Sequence, residues 1–270
     1  KRFPSYETLA EMARWFRSHP TGMLYLGDQF IVDLLVWYHI AWMGATVRRN
    51  NAQLSLLMEK GHGYTLHDRR LLLRIIGELL ASVIDRYRVL AENGQVELSM
   101  TPYDHPIVPL LLYLDTARDD IPENGMPRDI VYPGGRERVE WHIREGLESF
   151  EQYFGHKPTG CWPSEGGISA ATLEVLEELG FMWAASGESV FRHSMNHDDN
   201  SALADASLYQ AFTLEKGKLS CFFRDDGLSD LIGFTYSDWH ADDAVGNLVQ
   251  HLENIAASTQ AQENPLVSII

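Results

Sequence analysis

The chain has 270 residues, 45% of them hydrophobic, enough to bury a large core as one big α/β domain or two ordinary ones. Its 22 basic and 38 acidic residues leave a formal charge of −16. That excess argues against a nucleic-acid backbone or an anionic membrane surface as partner and suits a neutral ligand.

Two cysteines, Cys161 and Cys221, are too few for a disulfide framework and read as buried apolar residues. There is no apolar run of membrane-spanning length, and the opening "KRFPSYETLAEMARWF" has no signal-peptide core, so a cytoplasmic location is expected. The C-terminal "NPLVSII" has the β-branched pattern of a core strand and stops without a loop, so the chain reads as truncated.

In chain order, residues 28–43 are apolar on most sides and predict a buried helix with Asp28 as N-cap. The run from Leu66 to Asn93-Gly94 predicts one long helix, with Leu72, Ile75, Ile76, Leu79, Val83, Ile84, Tyr87 and Leu90 at 3, 4 spacing. "QVELSMTP" then alternates Val96, Leu98 and Met100 against polar residues and predicts a strand that Pro102 ends.

A helix over about 136–154 leads through "TGCWPSE" as a strand and loop into "SAATLEVLEELG", a helix capped by Ser169 and closed by Gly180. "FMWAAS" and "KLSCFFRDD" read as strands, and "ADDAVGNLVQHLENIAA" as a further helix before "PLVSII". Strands alternating with helices imply parallel pairing, and no glycine-rich phosphate loop opens any helix, which favours a barrel of β/α units over an open sheet.

Reactive groups in such folds collect where strands end. Three acids suggest themselves there: Glu97, Glu165 after "GCWP", and Asp225 after "SCFFR", with Asp226 beside it. Paired carboxylates are what glycoside hydrolysis needs, one protonated to assist the leaving oxygen and one ionised to attack or stabilise the anomeric centre. An acid after a strand can equally be a helix cap or salt-bridge partner, and Glu97 an interior ion-pair partner. Trp162, Trp183 and Trp239, near strand ends, could stack on a sugar ring or simply fill the core.

The segments "GQVELSMTPYDHPIVPLL", "GCWPSEGGIS" with "GFMWAASGES", and "FFRDDGLSDLIGFTYSDW" resemble successive blocks of glycoside hydrolase family 57, enzymes acting on α-glucans. "DQFIVDLLVWYHIAWMG" is also similar to that family. The resemblance implies an incomplete (β/α)7 barrel with additional helices, one catalytic domain over residues 1–270, a retaining mechanism on α-1,4-glucans and no cofactor. It implies Glu165 as nucleophile and Asp225 as acid/base, with Asp226 the close alternative. It further implies His105 reaching a substrate hydroxyl and Trp183 lining the subsite beside the nucleophile. The family's N-terminal His-Gln-Pro strand and a final acidic block are absent from residues 1–270, which again reads as truncation at both ends. The form of "RDDGLSDLIGFTY" is closer to the amylase and amylopullulanase members than to branching enzymes, so hydrolysis is expected over transfer.

Three rival readings stay open: 4-α-glucan transfer or branching, a catalytically silent carbohydrate-binding barrel, and a metal-dependent polysaccharide deacetylase. The last would use "RDDG" with "HSMNH", whose His193 and His197 sit in a stretch that reads as an exposed polar loop. Those histidines precede the acids, the reverse of the deacetylase order, so no metal site is assigned.

Overall fold

The computed structural model describes residues 3–117, 132–195 and 208–270. Its contacts gather into two compact units, Lys1–Ile84 and Asp85–Ile270.

The first unit is helical: α1 (Pro4–Ser18), α2 (Asp28–Trp42), α3 (Ala45–Asn50), α4 (Ala52–Lys60) and α5 (Leu66–Ala81). Its core is built from Val36, Trp37, Ile40, Leu54, Leu57 and Leu72. The buried Asp33 pins the loop before α5, accepting from the backbone N–H of Gly63 and Tyr64 at 2.9 and 3.0 Å. Gly27, not Asp28, occupies the cap position of α2, and Asp28 lies in its first turn. α5 opens with a capping box in which Thr65 and Asp68 satisfy each other's backbone N–H.

The long helix expected from Leu66 breaks at Ser82, and α6 (Val83–Glu92) follows. The hydroxyl of Ser82 bonds back to the carbonyl of Leu79 at 2.7 Å, competing with the helical ladder just before the β-branched Val83 and Ile84.

The second unit holds a four-stranded sheet of order β1-β2-β4-β3: β1 (Gly160–Cys161), β2 (Trp183–Gly187), β3 (Phe212–Thr213) and β4 (Ser220–Arg224). β1, β2 and β4 are parallel, with Gly160 opposite Trp183 and Trp183 opposite Ser220; β3 runs antiparallel to β4. Single parallel bridges, Met100 to Cys161 and Arg224 to Ser268, extend the array at its sides.

The strand expected over 95–101 is therefore only that bridge. Met100 pairs with the β1 segment through its N–H and C=O at 3.1 and 2.9 Å, while Glu97 turns its side chain to Thr159 and Trp183. "PLVSII" likewise shortens to the Ser268 bridge.

The second unit also holds α7 (Val108–Leu112), α8 (Gly135–Phe154), α9 (Ala170–Glu178), α10 (Glu188–Met195), α11 (Asp226–Asp230) and α12 (Ala241–Ser258). α8 buries Val139, Ile143 and Phe150, the stripe its 3, 4 spacing predicts, against Cys161, Ala184 and Cys221 of the sheet. Burial pushes both cysteine thiols up to about 12, so they stay protonated as small apolar groups. Gly160 is a glycine because the indole of Trp183 lies 2.0 Å from where its Cβ would stand.

Candidate active site

The strands β1, β2 and β4 point the same way, so the loops leaving them gather at one end of the sheet. Glu165 sits on the first of these, inside a single 3-10 turn, Ser164–Gly166, with φ 55° and ψ 19°. That left-handed conformation costs an L-residue with a Cβ, and Asp104 and His105 adopt it too, at φ 58° and 56°. These are three of the four non-glycine residues with positive φ among the described residues. Such strain clusters where the surrounding structure holds a side chain in place for use.

The two strained segments meet. His105 Nε2 lies 3.1 Å from Glu165 Oε1, and both side chains are exposed, at 51% and 77%. Thr101 ties the approach together by donating to the carbonyl of Trp162 at 2.9 Å. The half-buried Trp162 ring lies along Gly166, whose missing Cβ would stand 3.2 Å from it. Ser164 beside Glu165 is 1% exposed, and its hydroxyl has no hydrogen-bond partner among the described residues.

The loop after β2 lies against this turn. Ser186 donates its hydroxyl to the carbonyl of Gly166, and a Cβ on Gly166 would be 3.4 Å from the N–H of Gly187. The loop after β4 comes to the same place from the other side: a Cβ on Gly187 would be 3.5 Å from Asp226 Oδ1. Glu188 Oε2 accepts from the N–H of Asp226 at 3.2 Å, and its Oε1 pairs with Arg192 Nη2 at 2.5 Å. Asp226 itself pairs with Arg224 Nε at 2.7 Å. Asp225 caps α11 by accepting from Leu228 N–H at 2.8 Å on Oδ1, and accepts from the Tyr209 hydroxyl at 3.0 Å on Oδ2.

Among the expected site residues, then, His105 and Glu165 touch, Trp162 flanks their turn, and Asp225 and Asp226 stand on the loop that reaches Gly187. Trp183 does not join them. It is the first residue of β2, at the opposite end of the parallel sheet, where its indole N–H donates to Glu97 at 2.7 Å. Glu97, bonded by Thr159 and then by Trp183, is held below the usual carboxylate range and belongs to that far end as well. Trp239 is 44% exposed and lies edge-on to Tyr236 with ring centroids 5.4 Å apart.

His193 is on α10 and not in a polar loop, the i, i+4 pair of Glu188 and Arg192 extending the helix to Met195; His197 lies outside the described residues. Sequence reasoning passes over Glu188, although it follows a strand just as Glu165 does, and over Tyr209.

Parallel strands whose following loops gather at one end are the arrangement of a β/α barrel. A family model described as glycosyl hydrolase family 57 matches residues 5–270, and the chain belongs to that family. Among solved structures it is similar to a GH57-type branching enzyme from the hyperthermophilic archaeon Pyrococcus horikoshii, at 14% identity and TM-score 0.52, over 88% of this chain and 48% of that one. It is similar also to a GH57 branching enzyme from the hyperthermophilic archaeon Thermococcus kodakaraensis, at 12% identity and TM-score 0.51, over 89% and 50%. The chain thus spans about half the length of these structures. At such identities the likeness speaks for the fold alone, and it agrees with an incomplete (β/α)7 barrel carrying additional helices. No protein of curated function matches the chain. Among the described residues, no helix is long and apolar enough to cross a membrane.

Proposed function

We propose that the protein acts on α-1,4-glucans as a retaining glycoside hydrolase, with Glu165 as nucleophile and Asp225 as acid/base. The observation that carries this reading is the meeting of three loops at one rim: the strained turn of Glu165 against Gly187, and Gly187 against the loop of Asp225 and Asp226. Membership of glycosyl hydrolase family 57 supports it.

In this reading a Glu165 oxygen attacks the anomeric carbon while Asp225 gives its proton to the departing glycosidic oxygen; water, activated by the same aspartate, then releases the sugar. His105, in contact with Glu165, holds the nucleophile at its angle of attack. Asp225 suits the proton-carrying role better than Asp226 because its partners, Leu228 N–H and the Tyr209 hydroxyl, are neutral. Asp226 is already committed to the guanidinium of Arg224.

The test is turnover of maltoheptaose by the whole protein. Glu165→Gln and Asp225→Ala should each lower it by orders of magnitude, and azide should restore the second through a glycosyl azide. Near-normal turnover in Glu165→Gln refutes the proposal, and azide rescue confined to Asp226→Ala transfers the acid/base role to that residue. Accumulation of reducing ends marks hydrolysis, whereas longer chains without them mark transfer.

A further inference from the structure

We infer that Tyr209 is a positioning residue for the acid/base, fixing the Asp225 carboxyl by a hydrogen bond from its hydroxyl to Oδ2. The inference rests on the assignment of Asp225 just proposed.

The contact is not a sequence neighbour effect. Tyr209 lies before β3, in a segment secured to the chain end by Leu266 N–H donating to the Tyr209 carbonyl at 2.8 Å. Asp225 follows β4, and its own N–H donates to Ser268 at 2.8 Å. With Leu228 N–H on Oδ1 and the phenol on Oδ2, rotation of the carboxyl is blocked at both ends. Each oxygen still keeps a second lone pair for the proton that Asp225 must hold and deliver.

A phenol fits both stages of the cycle. It donates to the carboxylate after proton transfer and can accept from the carboxylic acid before it, which neither an ammonium nor an N–H group can do. Tyr209 keeps its own proton throughout: burial first, and then the bond to Asp225, push its hydroxyl above the ordinary tyrosine range. The charged groups facing the pair are Glu188 and Arg192 on α10, and the paired Arg224 and Asp226 flank Asp225 in the chain. Glu188 and Arg192 act on Tyr209 in opposite directions.

Two substrates separate positioning from scaffolding. Maltoheptaose has a sugar leaving group that needs protonation, whereas a nitrophenyl α-glycoside departs with little help. Tyr209→Phe keeps the ring and removes only the hydroxyl. It should lower kcat/KM for maltoheptaose on the order of 10- to 100-fold and that for the nitrophenyl substrate by less than about threefold. Equal losses on both substrates, or none on either, overturn the inference. Asp225→Ala in the same assay tells the two levels apart. If it too shows no dependence on the leaving group, the acid/base assignment falls and the role of Tyr209 with it; if it does and Tyr209→Phe does not, only the inference on Tyr209 fails.

Discussion

The left-handed backbone at Glu165 predicts that the residue at this position is kept at a cost to stability, and a pair of substitutions measures that cost. Glu165→Ala and Glu165→Gly both remove the carboxylate and its contact with His105, so the loss of that exposed pair, worth little in any case, cancels between them. What differs is the backbone. Alanine retains a Cβ at φ 55° and pays about 1–2 kcal/mol for it, whereas glycine pays nothing there but brings about 0.5–1 kcal/mol of extra unfolded-state entropy. The side chain is 77% exposed, so burial contributes almost nothing to either. Glycine should therefore be the more stable of the two by about 1 kcal/mol, or about 2–4 °C in Tm for a domain of this size. Urea unfolding with a common m-value, checked by calorimetry, reads the difference, and both variants should be inactive on maltoheptaose. If Glu165→Ala proves as stable as Glu165→Gly or more so, the turn does not hold its glutamate in a strained conformation, and the argument that strain marks this residue for function collapses.

Ser164→Ala removes a buried hydroxyl without a partner among the described residues and should be neutral or stabilising by up to about 1 kcal/mol; a loss above about 1 kcal/mol in denaturant unfolding would mean that the hydroxyl is satisfied. In the first unit, the bond from Lys60, and then the Thr65 N–H, hold the Asp68 carboxyl down to about 2. Its folded-state value lies below its unfolded one, so its contribution is present above about pH 4 and is lost as the pH falls through about 2. Asp68→Asn should therefore be destabilising at about pH 6, with a gap that narrows steadily below about pH 4; a gap independent of pH would contradict the pairing.

What the sequence reveals here depends on how local the deciding contact is. The stripe Val139, Ile143 and Phe150 foretells α8 because its partners lie within one helix face. The alternation over 95–101 and the β-branched tail fail as strands because a strand exists only to the extent that its neighbour pairs with it, and each of these finds a single bridge. Trp183 and Glu188 are the instructive cases, since direction along β2 separates them: the first residue of a parallel strand belongs to the end away from the loops that carry Glu165 and Asp225, and the residue after its last belongs to the rim. Both placements are implicit in "FMWAASGES" once the strand is recognised, and the aromatic's appeal as a sugar platform hides them. Tyr209 is different in kind. No periodicity or motif marks it, and its contact with Asp225 arises only from segments distant in sequence closing on one another. A carboxylate can be suspected from its place after a strand, but the group that aims it is chosen by the tertiary fold, which is why the inference about Tyr209 waits on the structure and Glu165 does not.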